Sequence, residues 1–162
     1  MESFENRESS DIEHDIASGN SMQLIAFMIG EQIYGVEITT VREIRAWDGA
    51  TPLPNTQEFV RGVINLRGTI VPIFDLRARF GDGITNTTKN HVVVVMSVGE
   101  KWVGVLVDAV SDILTISKKD IHKVPEGDNM DSELLSGIIT HDSKMVGLID
   151  LDAIVAGVKA EG

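Results

Sequence analysis

The stretch VRGVINLRGTIVPIFDLRARFG, residues 60–81, carries the strongest structural signal in this chain. Two apolar segments, residues 63–66 and 69–74, flank the dipeptide Arg67-Gly68. A two-residue turn that contains glycine between two apolar strands is typical of a β-hairpin. The hairpin does not need an arginine at its tip, and a planar side chain with five donors on a rigid turn is suited to recognition. The alternative is that Arg67 is a solvated turn residue without a specific role.

The composition indicates a single folded domain, or two small subdomains that share a core. The chain has 162 residues and 43% of them are hydrophobic, which is enough to bury a core. It contains no cysteine, so disulfides, thiolate ligands and thiol nucleophiles are excluded. No stretch resembles a signal peptide or a membrane span, and a cytoplasmic protein is therefore expected.

The net charge of −11 is unevenly distributed along the chain. Beyond the N-terminal segment, every arginine lies between Arg42 and Arg79, whereas every lysine lies at or after Lys89. The acidic total argues against nonspecific binding of nucleic acid or of anionic membranes, which requires a cationic surface. Because arginine is enriched and lysine depleted at protein interfaces, the first half is the better candidate for a recognition face.

The sequence pattern divides the chain into a tail and a folded domain. Residues 1–21 are charged and lack periodicity, which predicts a flexible acidic tail. Residues 22–158 form the expected domain. Within it, the polar segment 82–90 separates a first subdomain of about residues 22–88 from a second of about residues 89–158.

The second half of the domain repeats the first. Turn glycines and apolar positions stay in register when residues 30–44 are aligned with residues 99–113, and residues 61–76 with residues 136–151. Such a repeat predicts two similar all-β units, each a partly closed barrel of about five strands.

The repeat also separates architectural residues from those with another role. Asp75 and Asp150 occupy matching positions before short helical segments, which predicts N-caps rather than catalytic acids. Pro72 aligns with a glycine, so a bulge or bend is expected at both positions. Arg67 aligns with Asp142, so its role is expected to belong to the first half alone.

Several short segments complete the expected secondary structure. Residues 41–44 are compatible with a helical turn or with a third strand. Asn55 or Thr56 can cap a short helix through residues 58–59, and Ser132 can cap another. An amphipathic C-terminal helix is predicted by the spacing of four apolar residues: Leu151, Ile154, Val155 and Val158.

The sequence contains no recognisable catalytic or metal-binding constellation. Nucleophile-elbow, phosphate-loop and HExxH motifs are absent, and none of the four histidines has a second ligand at metal-site spacing. Asp108 and Asp112 can share a helical face, where a solvated surface is the favoured interpretation. These features indicate a binding protein without a cofactor. The alternative is a β-barrel enzyme for a small acidic or neutral ligand, which would need a concave polar pocket with shifted carboxylates.

The central hairpin, together with YGVEITTVREIR at residues 34–45 and WVGVLVDAVSDIL at residues 102–114, closely resembles the CheW family of chemotaxis coupling proteins. The resemblance covers residues 22 to about 158. It implies an all-β fold of two pseudo-symmetric, five-stranded SH3-like barrels around a shared hydrophobic core, with short helices and a C-terminal helix.

The resemblance also implies a non-catalytic adaptor that couples methyl-accepting chemoreceptors to the histidine kinase CheA, whose regulatory domain shares the fold. Adaptor and kinase domain would alternate in rings within membrane-associated receptor arrays. A non-flagellar pathway such as pilus-based motility is an alternative setting. The receptor's helical tip would dock in a groove between the subdomains, and the kinase would contact the subdomain ends. Six positions match the family's receptor-contacting motif: Val41, Glu43, Ile44, Arg67, Val92 and Ile113.

The chemistry of these six side chains is compatible with such docking. The apolar residues suit a helix-in-groove site, whereas Glu43 and Arg67 would supply a charged rim that orients the partner. Val41 and Ile44 align with apolar residues of the second half, one of them Ile113. A shared role in the core is therefore the alternative for these residues.

Overall fold

Strands dominate the structure, a computed structural model that describes residues 19–125 and 131–156. The strands are β1 (Ser21–Ile29), β2 (Gln32–Glu37), β3 (Val41–Ala46), β4 (Val60–Leu66), β5 (Thr69–Asp75), β6 (Val92–Val98), β7 (Lys101–Val107), β8 (Ala109–Ser117), β9 (Leu135–His141) and β10 (Lys144–Ile149). The short α-helices are α1 (Leu76–Arg79), α2 (Asp131–Leu134) and α3 (Leu151–Val155), and 3-10 helices span Ile38–Thr40 and Lys118–Asp120. Within the described ranges, no helix is both long enough and apolar enough to cross a membrane.

The strands form two five-stranded sheets. The first sheet has the order β8-β1-β2-β10-β9, and the second has the order β3-β6-β7-β5-β4. Neighbouring strands are antiparallel except for β2–β10 and β5–β7, which are parallel. The expected all-β fold with two five-stranded units is therefore confirmed.

The two sheets do not coincide with the two halves of the sequence. The first sheet combines β1 and β2 with β8, β9 and β10, and the second combines β3, β4 and β5 with β6 and β7. The expected subdomains, residues 22–88 and 89–158, thus describe the sequence repeat, whereas a division at residue 88 does not separate the sheets. The physical reason is that strand pairing uses backbone hydrogen bonds. The edge strand of a hairpin can therefore pair with a strand of its own half or with the equivalent strand of the other half.

The interleaved arrangement is nevertheless pseudo-symmetric. Exchanging β1–β5 with β6–β10 in order converts one strand order into the other. The open edges are joined in matching ways, since Thr51 after β3 forms a bridge with Val63 on β4, and His122 after β8 forms one with Ile138 on β9. Each sheet is therefore a partly closed barrel.

The predicted central hairpin is present as β4 and β5. Arg67 and Gly68 connect the strands with φ angles of 53° and 90°, as a two-residue turn of type I′ requires. The predicted helix caps are also present. Asp75 accepts a hydrogen bond from the Ala78 N–H at the start of α1. Asp150 accepts a hydrogen bond from the Ala153 N–H at the start of α3.

The bulges lie on the neighbouring strands rather than at Pro72 and its counterpart. On β4 the register against β5 shifts between Val60 and Gly62. On β9 the register against β10 shifts at the equivalent place, between Leu135 and Gly137. Pro72 pairs with Val63, whose own N–H and C=O bond to Thr51. Because Val63 and Pro72 form no hydrogen bonds with each other, the missing N–H of Pro72 breaks no hydrogen bond to β4.

The core consists of a central cluster and one smaller cluster inside each sheet. The central cluster takes buried side chains from both sheets and so holds them together, for example Phe27, Tyr34, Phe74, Val94 and Met96. Along β1, alternate residues join the central cluster and the first sheet's own cluster. Burial on both faces explains the continuous apolar run of this strand.

Some local expectations were wrong. Residues 55–59 form turns instead of a helix, and Asn55 has a φ of 60°. Ser132 lies inside α2 and is not its N-cap. For residues 41–44, where a helical turn and a third strand were both compatible with the sequence, the structure shows the strand β3 after a 3-10 turn. Val158 and residues 1–18 of the expected tail lie outside the described residues.

Candidate functional site

Arg67 and Glu43 form an ion pair that links the two edges of the second sheet. Arg67 lies at the β4–β5 tip and Glu43 lies on β3, and β3 and β4 are the edge strands of this sheet. The Arg67 Nη2 lies 2.7 Å from the Glu43 Oε1. The other carboxylate oxygen, Oε2, accepts a hydrogen bond of 3.1 Å from the Arg45 Nη1. We refer to Glu43, Arg45 and Arg67 as the tip cluster.

The electrostatics of the tip cluster favour an ionised Glu43. The hydrogen bond from Arg67 is the largest influence and lowers the pKa of the Glu43 carboxyl, partial desolvation opposes it, and the charges of both arginines add to the lowering. Two guanidinium groups and one carboxylate leave the cluster with a net positive charge. The Arg67 side chain is 69% exposed, so it can reach a partner.

The backbone of Arg67 also points to a role beyond closing the turn. Its φ of 53° lies in the left-handed region, which is uncommon for residues other than glycine and is best tolerated by asparagine and aspartate. The equivalent turn of the second half has Asp142 with a φ of 55°. An arginine at this position is conformationally less favourable, and such strain is typical of functional sites.

A β-bulge on β3 separates the charged site residues from the apolar ones. The register of β3 against β6 shifts at Arg42. As a result, Val41 and Ile44 are both paired with residues of the central core cluster. Glu43 is paired with Val95, which belongs to the second sheet's own cluster. The predicted site residues therefore occupy two faces of one edge strand.

The apolar site residues share the face that is directed toward the central core cluster. Val41 and Val92 pack against this cluster, and Val92 is the diagonal neighbour of Ile44 in the β3–β6 ladder. Ile113 lies on the edge of the first sheet and pairs with Ile25 of the same cluster. Ile44 and Ile113 are 44% and 54% exposed. A role in the core thus accounts in part for Val41 and Val92, whereas Ile44 and Ile113 present apolar surface to solvent.

Arg45 and the cleft beside it were not identified from the sequence. The cleft has a volume of about 450 Å³ and lies between the end of β3 and β4, with Arg45, Trp47 and Asn65 among its lining residues. The guanidinium of Arg61 lies over the Trp47 ring at 5.6 Å. The i, i+2 spacing of Glu43 and Arg45 on a strand was the available signal, because such residues share one face.

A second ionic cluster ties the two sheets together at Asp108, between β7 and β8. The Asp108 Oδ2 accepts hydrogen bonds from the Gly30 N–H and the Arg77 Nη2, both at 2.7 Å. Its Oδ1 lies 3.2 Å from the His91 Nε2, and the His91 Nδ1 accepts the Thr88 N–H. Desolvation raises the pKa of the Asp108 carboxyl, but these partners outweigh it and the net direction is downward.

The helical face expected for Asp108 and Asp112 was wrong, and the expected exposure to solvent holds for Asp112 but not for Asp108. Neither residue lies on a helix, and Asp108 is ion-paired. Asp112 lies on β8 and accepts the Ile113 N–H. In the repeat, Asp112 and Asp142 take the places of Glu43 and Arg67, and two carboxylates cannot form such an ion pair. Within residues 19–125 and 131–156, no group of three or more histidine or acidic side chains could hold a metal ion.

Two interleaved, partly closed β-barrels with an apolar face and an ionic tip define a binding module built from a duplicated small barrel. A family model described as the CheW-like domain matches residues 23–159. The chain belongs to this family.

Individual relatives agree in sequence and in fold. A probable chemotaxis protein CheW from Rhizobium etli is 44% identical over 140 residues, which cover 86% of this chain and 90% of the relative. Protein FrzA from Myxococcus xanthus is 29% identical over 117 residues, which cover 72% of this chain and 73% of that protein. The crystal structure of the scaffolding protein TtCheW from Thermoanaerobacter tengcongensis matches with a TM-score of 0.75 and 33% identity, covering 80% of this chain and 84% of that one.

Proposed function

We propose that this protein is a non-catalytic adaptor that couples methyl-accepting chemoreceptors to the histidine kinase CheA in chemotaxis signalling. It acts in the cytoplasm, at membrane-associated receptor arrays. Membership of the CheW-like family and the similarity to proteins named as chemotaxis and scaffolding proteins support this function. The single observation that carries it is the joining of Glu43 and Arg67, from distant parts of the chain, beside a half-exposed apolar face on the same edge strand.

The receptor tip binds to the face that carries the apolar site residues. An amphipathic helix buries its apolar side against Ile44 and Ile113, and the tip cluster at the rim selects the orientation of the helix by charge. Individual contacts of this size give modest affinity. Strong assembly then arises from the many simultaneous contacts of an array.

The kinase binds at the hairpin ends of the two sheets, which in the second sheet is the end that carries the Arg67-Gly68 turn. Ile70 on β5 and Met145 on β10 are equivalent in the repeat and are 58% and 61% exposed. A groove of about 650 Å³ next to Ile70 is lined by apolar side chains that include Pro72 and Trp102. Each barrel thus presents an exposed apolar side chain at the equivalent position, which suits alternation in a ring with a kinase domain of the same fold.

Reconstitution with a receptor cytoplasmic fragment and CheA tests the coupling function. The wild-type protein is expected to raise kinase activity. Arg67→Glu is expected to unfold at the same urea concentration as wild type but to lose coupling, because it places two carboxylates at the rim. Arg42→Glu is the matched control, since Arg42 lies on the same strand and bonds to Ser97 instead of Glu43. Coupling by Arg67→Glu at the wild-type level would show that the assigned site is wrong.

A coupling role in a non-flagellar chemosensory pathway is the second candidate. The chain is similar to Protein FrzA from Myxococcus xanthus as well as to the proteins named chemotaxis protein CheW, and this similarity supports the second candidate. Affinity purification from the native cells, followed by mass spectrometry of the bound receptor and kinase, distinguishes the two. Recovery of a receptor and kinase of the flagellar pathway supports the first candidate, and recovery of those of another pathway supports the second.

A further inference from the structure

Arg45 holds the carboxylate to which Arg67 is anchored. Glu43 uses one oxygen for Arg67 at 2.7 Å and the other for Arg45 at 3.1 Å. We infer that Arg45 is a positioning residue of the receptor site and that the tip cluster takes up a carboxylate of the receptor tip. This inference rests on the proposed function and names the chemistry of the partner at the rim.

The first argument is geometric. Arg67 is an exposed side chain with much rotational freedom, and holding it in one orientation costs entropy. Glu43 can orient Arg67 only if its own carboxylate is fixed. Arg45 lies two residues along the same strand, on the same face, and its guanidinium fixes the oxygen that Arg67 does not use. The orientation of Arg67 therefore depends on Arg45 through Glu43.

The second argument concerns charge. Glu43 and Arg67 alone would form a neutral pair without preference for an anion. Arg45 restores a net positive charge to the tip cluster. A guanidinium has five N–H donors, and only one contact from Arg67 to Glu43 is formed, so donors remain for a partner. A planar fork of donors with a positive charge matches the two oxygens of a carboxylate.

The third argument comes from the repeat. Arg45 aligns with Leu114, which is only 7% exposed and belongs to the first sheet's own core cluster. The architecture thus accommodates a buried apolar residue at this position, and the second sheet has a charged residue of 38% side-chain exposure instead. Glu43, Arg45 and Arg67 are all replaced in the second half, while the cap at Asp75 is retained there. The three residues therefore behave as one unit without an architectural function.

A double-mutant cycle on binding of a receptor-tip fragment tests the positioning role. Arg45→Gln is expected to weaken binding roughly two- to fivefold, the range of exposed ion pairs, while Arg42→Gln leaves it unchanged. In an Arg67→Gln background, Arg45→Gln is expected to cause a clearly smaller loss, because only its charge contribution and not its positioning of Arg67 remains to be lost. Wild-type affinity of Arg45→Gln, or an equal loss in both backgrounds, would overturn the inference.

A second variant separates positioning from a structural role. Arg45→Leu introduces the residue of the second half, so its urea midpoint is expected to equal or exceed that of wild type while binding weakens as in Arg45→Gln. In addition, the acidic residues of the receptor-tip fragment are replaced by their amides one at a time. One of these replacements is expected to weaken binding to the wild-type protein but not to the Arg67→Gln variant. If no acidic residue behaves in this way, the assignment of a carboxylate is wrong.

The titration of Glu43 in the free protein gives a readout that does not depend on the receptor. NMR of the side-chain carboxyl is expected to show a higher pKa in Arg45→Gln than in wild type, because a charge-assisted hydrogen bond is lost. An unchanged titration overturns the positioning role. If wild type does not bind the receptor fragment, the proposed function fails, whereas the Glu43 titration still decides the role of Arg45.

Discussion

Replacing Asp75 by alanine is expected to destabilise the fold far more than the same change at its counterpart Asp150. Both carboxylates cap a helix, through the N–H of Ala78 and of Ala153, and a cap contributes about 1 kcal/mol. Asp75 is also fully buried and accepts hydrogen bonds from the Thr85 N–H at 2.8 Å and the Thr85 hydroxyl at 2.7 Å. Each buried donor left without an acceptor costs about 1–3 kcal/mol.

The expected loss of unfolding free energy is therefore about 3–7 kcal/mol for Asp75→Ala and about 1 kcal/mol for Asp150→Ala. Urea unfolding at neutral pH, followed by circular dichroism, measures both values. The pair is matched because position, helix and substitution are equivalent, whereas Asp75 is more deeply buried and contacts Thr85 and Arg61. Losses within about 0.5 kcal/mol of each other would refute the argument that the segment after α1 is held by Asp75.

Two further perturbations test the backbone and the ionic cluster between the sheets. Gly62→Ala should cost about 2–4 kcal/mol in urea unfolding, because φ is 138° and a Cβ would collide with the Thr51 carbonyl. Gly81→Ala, with a φ of 87° and open space, should cost about 1 kcal/mol, and equal costs would contradict the collision. Because folding lowers the pKa of Asp108, its carboxylate stabilises the fold at neutral pH, and this contribution is lost on acidification below about pH 4. The urea midpoints of wild type and of Asp108→Asn should therefore differ at neutral pH and converge below about pH 4. A difference between the two midpoints that stays constant from pH 7 to pH 3 would contradict the role of the Arg77 contact.

Local sequence signals were sufficient for the hairpin and the caps. The turn at Arg67-Gly68 requires left-handed backbone next to paired strands, and a short sequence encodes that requirement. The caps at Asp75 and Asp150 depend on residues three positions away. The expected helix at residues 55–59 failed because capping residues also favour turns, and nothing in the adjacent sequence distinguishes the two.

The candidate site was only partly accessible to sequence reasoning. The six positions were identified by resemblance, and the sequence could not show that Arg67 meets Glu43, since 24 positions separate them. The bulge at Arg42 could not be foreseen either, although it decides which side chains of β3 face the central core. The helical, solvated face expected for Asp108 was wrong because the partners of this carboxylate come from three separate segments of the chain.

By itself, the sequence determined most of the strands, the duplicated order of elements, the turn at the hairpin tip and the helix caps, but it left β3 undecided and did not predict β8. These features follow from periodicity and from contacts between near neighbours in the chain. Only the tertiary structure decided which hairpin completes which sheet, how the tip cluster forms across the sheet edges, and how Asp108 joins the two sheets. The physical reason is that equivalent edges offer the same hydrogen bonds. Packing of the central core selects between them, and it involves side chains from both halves at once.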